Sequence, residues 1–475
     1  MTTIQLGMPT SSFGMIPPHR IVRQGASGRQ LKSPYHIPTL VHLEITYACM
    51  ESCIMCYNPT RTKVNQRDKD VVLDIVNTVA EQRIPHTYLI GGEPTYGYSQ
   101  RELSDMVDIL FENGSSTTIV TNGQIHLKGF NPRLACFGVS IHGADAETHD
   151  AITKKRGSFK RACEAVRRYV DDGHDVRFVT VVMGRNHDQM YRICELAHEL
   201  GAESIYYDIY EPGGIGEMNS ALASLRMQPT HKELHSAIGQ ILAAHDEIPM
   251  RGDVALGTAL PYCFDQRLAE AGMLSTCGAG TWFAAVTATG DLRLCNQSKM
   301  TFGNVLERPL AAIWSDPLVD TCFRDLSWVS EPCSSCPVLL DCGGGCKVDE
   351  GCPTGELCID RIVRSLPAEQ RAVPKLPARE PVPAEVPSEW RQLRVSPWLA
   401  VTETYRDSGD LFFKTRYGTV RVTEDELALA KSLISAGPVV DEHAFAATYS
   451  DVVDVDQMRQ FLSNMVRVSA LSVEK

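Results

Sequence analysis

Three cysteines near the start of the chain have the type and spacing to hold a metal. Cys49, Cys53 and Cys56 follow a C-x3-C-x2-C pattern directly after the strand-like segment 40–47. Thiolates this close together suggest a metal centre, yet zinc and iron–sulfur sites made only from protein normally take four ligands. The spacing therefore predicts a centre with one coordination position left for a substrate or a cofactor.

A second group of cysteines lies farther along the chain. Of the 16 cysteines, six fall between positions 333 and 358 and none follows. A clustered distribution without a secretion signal predicts metal ligation rather than disulfides. The surrounding segments are short and Gly-rich, so metal would have to organise them. The cysteines that stand apart, expected to be small buried apolar residues, are Cys136, Cys163, Cys194 and Cys322.

The elements that position the first cysteines alternate between strand-like and helix-like segments. Strands are predicted at 40–47, 86–91, 117–121, 136–141, 176–183 and 204–210, and helical patterns occur at 157–173 and 187–201. This alternation predicts an α/β fold with a parallel sheet covered by helices. Six βα units are too few for an eight-stranded barrel, so we expect a partial (β/α)6 barrel. The three cysteines follow its first strand, at the end where such folds build active sites.

Composition limits the partners that the chain can have. Its formal net charge is −12, which argues against a nucleic-acid backbone as a partner. The N-terminus has no apolar core of signal-peptide type, and no run approaches the ~20 apolar residues of a membrane helix. A soluble, cytoplasmic protein without a membrane partner is therefore expected.

The chain divides into five predicted parts. A Gly-, Ser- and Pro-containing N-terminal arm and a Pro-rich, semi-rigid linker flank the main body. The final part contains a hairpin-like segment with a turn near Tyr417 and Gly418, followed by two amphipathic helical patterns. The predicted parts are the arm (1–38), the partial barrel (39–250), a bridging and cysteine-rich domain (251–365), the linker (366–389) and a small α+β module (390–475).

With later residues included, the first motif resembles the radical S-adenosylmethionine (SAM) superfamily. The resemblance rests on the C-x3-C-x2-C spacing, the aromatic Tyr57 and the segment GGEPT at 91–95. It implies a catalytic [4Fe–4S] cluster on Cys49, Cys53 and Cys56, with SAM as the missing fourth ligand. An electron from the cluster then cleaves SAM to methionine and a 5′-deoxyadenosyl radical. A structural zinc knuckle is the alternative for these cysteines.

The same resemblance implies SAM contacts from loops after the first strands. Glycines at 91 and 92 let the backbone approach a ligand closely, and the following Glu supplies a carboxylate for an ammonium group. The expected SAM contacts are Tyr57, Gly91, Gly92, Glu93, Pro94, Asn122, Ser140 and Arg156. The family often has Asp at the position of His142, which is either a structural residue or a substrate contact. Asn186 is similarly open.

The later cysteines resemble the SPASM extension of radical SAM enzymes. The motif has Cys277, Gly290 and Cys295, followed by C-x2-C-x5-C-x3-C over 333–346. The resemblance implies two auxiliary [4Fe–4S] clusters, and a zinc ribbon explains only the C-x2-C part. The first auxiliary set is Cys277, Cys295 and Cys346, with Cys263 as the expected fourth ligand. The second auxiliary set is Cys333, Cys336 and Cys342, with Cys358, or its competitor Cys352, as the expected fourth ligand.

Residues 390–475 resemble the small peptide-binding domain of peptide maturation systems, such as the chaperone of pyrroloquinoline quinone synthesis. The whole chain then resembles a radical SAM/SPASM maturase of ribosomally made peptides. This implies hydrogen abstraction from a precursor peptide, an oxidative side-chain crosslink, leader binding by the C-terminal module, and flavodoxin or ferredoxin as electron donor. For the module, the alternative is a winged-helix or dimerisation unit. For the enzyme, the alternatives are a SPASM dehydrogenase of a small molecule or protein side chain, and a non-catalytic iron–sulfur carrier or peptide scaffold.

Overall fold

The computed structural model describes most of the 475-residue chain. The described residues are 23–24, 31–32, 37–58, 68–212, 219, 223–274, 276–347, 362–363, 366–367, 386–387, 389–401, 411–415, 419–467 and 470–473. Most of the expected N-terminal arm and Pro-rich linker lies outside these ranges. At the start, β1 (Arg23–Gln24) pairs antiparallel with β2 (Leu31–Lys32).

One nine-stranded sheet forms the centre of the larger part of the protein. Its strands are β3 (Leu40–Thr46), β4 (His86–Gly91), β5 (Ser116–Thr121), β6 (Cys136–Ser140), β7 (Val176–Val182), β8 (Ser204–Ile209), β9 (Val254–Leu256), β10 (Phe283–Val286) and β11 (Leu292–Arg293). Their order is β11-β10-β3-β4-β5-β6-β7-β8-β9, parallel throughout except for β11. The predicted strands are β3 to β8, and each end lies within one residue of the prediction. The predicted α/β fold with a parallel sheet is confirmed.

Helices lie between these strands along the chain and cover one face of the sheet. They are α1 (Lys69–Glu81), α2 (Pro94–Gly97), α3 (Gln100–Glu112), α4 (Ala146–Thr153), α5 (Ser158–Asp171), α6 (Met190–Glu199) and α7 (His231–Glu247). Ser99 and Thr230 start α3 and α7 with capping boxes, which satisfy backbone donors that the first turn leaves open. Val76 of α1 is buried in the same core as Val41 and Leu43 of β3. Burial of these apolar faces fixes the helices against the strands.

The cysteine-rich region joins the same sheet. Strand β10 pairs in parallel with β3, with Val286 opposite Leu43, and β11 then pairs antiparallel with β10. The helices of this region are α8 (Gln266–Glu270), α9 (Leu310–Trp314), α10 (Pro317–Val319) and α11 (Leu339–Cys342), with a π-helical turn over Asp320–Arg324. Trp314 and Phe323 are fully buried in the barrel core. Within the predicted bridging and cysteine-rich domain (251–365), β9 adds to one edge of the barrel sheet, and β10 and β11 add to the other.

The C-terminal module has its own core. Its elements are β12 (Gln392–Val395), β13 (Ala400–Val401), β14 (Leu411–Lys414), β15 (Thr419–Val422), α12 (Glu424–Ala436), β16 (Val439–Asp441), α13 (Glu442–Thr448), α14 (Val455–Arg467) and β17 (Leu471–Val473). Two three-stranded sheets, β16-β12-β17 and β13-β14-β15, pack with the helices around Leu393, Phe413 and Leu433. The predicted hairpin is present as β14 and β15, and its turn lies outside the described residues. Lys414 Nζ donates to Gly114 O of the barrel at 2.5 Å. Among the described residues, no helix is both long and apolar enough to cross a bilayer.

Candidate active site

The cysteine loop (residues 49–56) lies just beyond the C-terminal end of β3. The backbone amides of Ser52 and Ile54 donate to the carbonyls of Thr153 and Ile152 at 3.0 Å, which fixes the loop to the end of α4. Lys155 Nζ donates to the Met50 carbonyl at 3.1 Å. The helix that follows β6 therefore holds the loop at the end of the sheet where the chemistry was predicted.

The thiols of this loop are in surroundings that suit sulfur ligands. Cys49 Sγ accepts from the Glu51 amide at 3.4 Å and from Asn122 Nδ2 at 3.8 Å, and it interacts electrostatically with Cys56. The Cys53 thiol donates to Glu51 Oε2 at 3.5 Å. Burial raises the pKa of Cys49 to about 12. The raised pKa means that burial alone favours the protonated thiol. A bound metal reverses this preference, because a coordinating thiol is deprotonated.

The donor set fits an iron–sulfur cluster better than a single ion. Three thiols are the ligand type that such clusters use, and N–H donors to sulfur tune them. Within the described part of the chain, no three His, Cys, Asp or Glu side chains converge tightly enough for one metal ion. A four-iron cluster binds each thiolate at a different iron, so its ligands need not converge. Glu51 Oε1 is also buried here without a hydrogen-bond partner, so the loop leaves a polar group for a ligand.

Glu93 is buried and holds two neighbouring strand ends together. Its Oε1 accepts from the Thr95 amide at 3.1 Å and from the hydroxyls of Thr95 and Thr121 at 2.6 Å each. Its Oε2 accepts from the Asn122 amide at 2.6 Å. Burial raises the pKa of Glu93, while these donors lower it. The carboxylate therefore organises the loops after β4 and β5, whether or not it also meets SAM.

Gly91 and Gly92 are required by the close approach of two backbones. A Cβ at Gly91 would meet Thr46 O at 2.0 Å, and one at Gly92 would meet Ala48 O at 2.3 Å. Because neither glycine has a Cβ, the amides of Gly92 and Glu93 can donate to the carbonyls of Thr46 and Ala48 at 2.6 and 2.7 Å. The glycines thus join the loop after β4 to the entrance of the cysteine loop. The role that sequence gave them, close approach to SAM, stays a prediction.

Of the other predicted SAM contacts, Asn122 meets the cysteine loop. Asn122 Nδ2 reaches Cys49 and also donates to Met50 Sδ at 3.4 Å. Pro94 starts α2 and is buried, whereas Ser140 ends β6 and is half-buried. These positions are compatible with the predicted SAM contacts.

Arg156 lies at the surface, and its contact with SAM stays a prediction. Its side chain is exposed, and its carbonyl accepts from Arg161 Nη2 at 3.1 Å. Among the described residues, Lys155 and Arg161 lie near the cysteine loop, and their charges both lower the pKa of Glu51. Sequence pointed to the basic segment but not to the residues within it that face the loop.

The two residues left open by sequence have structural partners. His142 Nδ1 accepts from the Val181 amide at 3.2 Å, and burial lowers its pKa to about 3. Asn186 Nδ2 donates to the carbonyls of His142 and Val181 at 2.8 and 2.9 Å. Its Oδ1 accepts from the Met183 amide at 2.7 Å. The structural reading of both residues is therefore favoured.

A buried polar network connects β3 with the cysteine-rich region. Glu44 is paired with Arg293 of β11, and its Oε1 also accepts from Asn296 Nδ2 at 3.0 Å. Tyr47 OH donates to Glu44 Oε2 at 3.1 Å. Burial and the charge of Glu44 raise the pKa of Tyr57, which lies beside the same network. Sequence missed Glu44 and Arg293, since nothing local marks a pair separated by 249 positions.

The inner face of the sheet also carries a carboxylate. Tyr207 OH donates to Met190 O at 2.7 Å and so faces the helices. The next residue, Asp208, faces the opposite side, because successive side chains of a strand alternate. Burial raises the pKa of Asp208 to about 6. The sequence gave no signal for this residue beyond its position in a predicted strand.

One buried lysine, Lys347, lies near three of the described auxiliary cysteines. Cys295 interacts electrostatically with Cys277, and Lys347 interacts with Cys277, Cys346 and Cys342. Burial lowers the pKa of Lys347, whose Nζ donates to Phe323 O at 3.1 Å, and the thiolates raise it. A buried cation therefore compensates negative charge between the two sets. Cys352 and Cys358 lie outside the described residues.

The described contacts around Cys263 involve Cys342, a residue of the second auxiliary set. The expectation was a fourth ligand for the first auxiliary set, with Cys277, Cys295 and Cys346. The adjacent Tyr262 amide donates to Cys342 Sγ at 3.4 Å, and Cys263 interacts electrostatically with Cys342. The segment before α8 is thus held against the second auxiliary set.

Comparison with known proteins agrees with this geometry. The radical SAM superfamily model matches residues 43–197, and the SPASM model, an iron–sulfur cluster-binding domain, matches residues 277–337. The chain is 25% identical over 327 residues to the PqqA peptide cyclase of Methylocella silvestris, covering 66% of this chain and 83% of that protein. It is also 25% identical over 342 residues to the AdoMet-dependent heme synthase of Methanosarcina barkeri, covering 67% of this chain and 94% of that protein.

A solved structure shares the fold. SuiB of Streptococcus suis, bound to the precursor peptide SuiA, matches with a TM-score of 0.52 and 16% identity, covering 69% of this chain and 76% of that chain. Residues 43–197, with the parallel sheet and the cysteine loop after β3, match a radical SAM domain, and residues 277–337 match a SPASM domain. These two domains imply iron–sulfur clusters and SAM as cofactors.

Proposed function

We propose that this protein is a peptide maturase that forms an oxidative side-chain crosslink in a ribosomally made precursor peptide. The observation that carries the proposal is the direct pairing of β10 with β3, because Cys277 precedes β10 and Cys295 follows β11, while β3 leads into the cysteine loop. This arrangement suits a reaction in which an electron leaves the substrate after hydrogen abstraction. The similarity to a PqqA peptide cyclase and to SuiB supports a peptide substrate.

The residues of this chain have distinct proposed roles. When bound, the cluster and SAM supply a 5′-deoxyadenosyl radical for hydrogen abstraction. Cys49, Cys53 and Cys56 hold that cluster, while Glu93 keeps Asn122 against it. Lys155 and Arg161 face the same loop and suit the carboxylate of SAM. The later cysteines would hold two further [4Fe–4S] clusters, which would supply an acceptor for the substrate's electron, and a flavodoxin or ferredoxin is the proposed reductant of the catalytic cluster.

The C-terminal module is proposed to bind the leader of the peptide. Within the described residues, β15 pairs only with β14, so one edge of β15 is left for an added strand. An extended peptide can pair with such an edge through main-chain hydrogen bonds. The linker would then keep the core of the peptide near the catalytic loop at an effective concentration of around millimolar.

Two measurements test this function. Reduced, reconstituted protein with SAM and the peptide encoded beside its gene should give a product lighter by two hydrogens, with 5′-deoxyadenosine formed in parallel. A product of unchanged mass that carries solvent deuterium would show epimerisation and overturn the crosslink.

The second measurement addresses the module. Deletion of residues 390–475 should weaken leader-peptide binding, measured by fluorescence anisotropy, roughly ten-fold or more. Uncoupled SAM cleavage should remain, because the module has a separate core. Equal affinities with and without the module would show that it does not bind the leader.

A small molecule is the second candidate substrate class. It is favoured by the similarity to the AdoMet-dependent heme synthase, which equals the peptide cyclase in identity. In that case, the truncated protein would keep its full turnover of substrate, and no peptide would stimulate SAM cleavage.

A further inference from the structure

The starting observation is a cysteine outside the matched SPASM segment. That segment begins at residue 277, so it assigns no role to Cys263. Two contacts hold the neighbourhood of Cys263 against the last turn of α11. The Tyr262 amide donates to Cys342 Sγ at 3.4 Å, and Thr276 Oγ1 donates to Asp341 O. Tyr262 OH and Thr276 Oγ1 are themselves 3.2 Å apart, which links the two contacts.

The packing around Cys263 involves the second auxiliary set. A small buried cluster, separate from the main core, contains Leu326, Cys333 and Leu339. Cys263 and Cys336 both pack against this cluster. The amide of Cys336 donates to the Cys333 carbonyl at 3.0 Å, so these two cysteines form one tight turn. Cys263 therefore shares its apolar surroundings with the C-x2-C pair.

The backbone beside Cys263 also contacts the remaining cysteine of that set, because the Tyr262 amide donates to Cys342 Sγ. Packing and hydrogen bonding thus both associate Cys263 with the second auxiliary set.

We infer that Cys263 is the fourth cysteine ligand of the second auxiliary cluster, beside Cys333, Cys336 and Cys342. Four thiolates are the complete protein ligand set of a [4Fe–4S] cluster. The inference rests on the auxiliary clusters of the proposed function, but it does not depend on the substrate. It leaves Cys352 and Cys358, which lie outside the described residues, without a role in this cluster.

The test isolates each auxiliary cluster in turn. All variants carry alanine at the three cysteines of the catalytic loop, so that only auxiliary iron remains. One background adds Cys277→Ala and Cys295→Ala and retains the second cluster. The other adds Cys333→Ala and Cys336→Ala and retains the first. Cys263→Ser is then introduced into each, and iron content and the EPR spectrum of the reduced protein are measured.

The expected result is specific to one background. Cys263→Ser should change the EPR signal and lower iron where only the second cluster remains, and should change neither where only the first remains. The matched control is Cys322→Ser, a half-buried cysteine outside both sets, which should have no effect in either background. A change confined to the first cluster, or no change at all, would overturn the inference.

A second measurement applies if either background fails to retain iron. In the otherwise unaltered chain, Cys263→Ser and Cys336→Ala should remove or alter the same Mössbauer component, and Cys295→Ala a different one. Matching effects of Cys263→Ser and Cys295→Ala would contradict the inference. Failure of the auxiliary-cluster assignment itself would be distinguishable, because the unaltered protein would then hold roughly four iron atoms instead of roughly twelve.

Discussion

Replacement of Glu93 by Gln tests whether this carboxylate organises the catalytic loops. The amide oxygen of Gln can keep the three contacts that Oε1 makes with Thr95 and Thr121. Its NH2 group must then face the Asn122 amide, which now donates to Oε2 at 2.6 Å. Two donors would meet in a buried site, and the Asn122 amide would lose its partner.

The size of the effect follows from opposing contributions. A buried donor without an acceptor costs about 1–3 kcal/mol, and the remaining hydrogen bonds lose their charge assistance. Removal of the buried charge offsets part of this free-energy cost, since burial disfavours the ionised carboxylate and raises the pKa of Glu93. We expect a net local destabilisation of about 1–3 kcal/mol, which corresponds to a roughly 5- to 150-fold faster opening-limited exchange of the Asn122 amide.

Hydrogen exchange resolved to the loop after β5 measures this effect directly. Glu147→Gln, at an exposed position of α4, is the matched control and should leave exchange unchanged. Iron retention at the catalytic loop should also fall in Glu93→Gln, because Asn122 contacts Cys49. If SAM affinity fell while Asn122 stayed protected as in the unaltered protein, Glu93 would serve SAM alone and the reasoning from its hydrogen bonds would be refuted.

Three further predictions concern metal, potential and pH. Alanine at Cys49, Cys53 and Cys56 together should remove roughly four of roughly twelve iron atoms and all 5′-deoxyadenosine formation; continued cleavage would place the catalytic cluster elsewhere. Lys347→Met should lower an auxiliary reduction potential in EPR-monitored titration, relative to Lys347→Arg, because the buried cation favours the more negative reduced state; equal potentials would exclude this role. Burial raises the pKa of Asp208 from 3.8 to about 6, so the folded state binds more protons and loses stability as pH rises across that interval. In denaturant unfolding, Asp208→Asn should therefore be more stable than the unaltered protein by roughly 2 kcal/mol at pH 7.5 and equal to it near pH 4. A stability difference that does not change with pH would contradict the raised pKa of Asp208.

Local sequence signals were sufficient for the strands of the barrel. Strand-like runs alternate with helical patterns that end in Gly, and this alternation predicted the ends of β3 to β8 to within one residue. The same signals failed for β10, because a four-residue apolar segment is ambiguous until its partner is known. Its partner, β3, lies more than 240 positions earlier in the chain.

The candidate site was predictable where spacing carries the chemistry. The C-x3-C-x2-C motif and the GGEPT segment located the two loops that the structure brings together through Gly92 and Thr46. Spacing could not show that Glu93 is occupied by donors from the next strand, nor that Lys155 rather than Arg156 reaches the cysteine loop. Both facts depend on the direction in which each side chain points from its loop, and the packing of the whole fold determines that direction.

The pairing of β10 with β3 also determines how the parts of the protein depend on one another. Arg293 of β11 is paired with Glu44 of β3, and Cys295 follows Arg293 by two residues. Loss of the auxiliary metal would therefore loosen a buried charge pair directly below the catalytic loop, since metal ligation supplies folding energy to such regions. The C-terminal module has its own core, and Lys414 of the module donates a hydrogen bond to Gly114 of the barrel. Auxiliary-site variants should for this reason disturb the catalytic loop, whereas removal of the module should not.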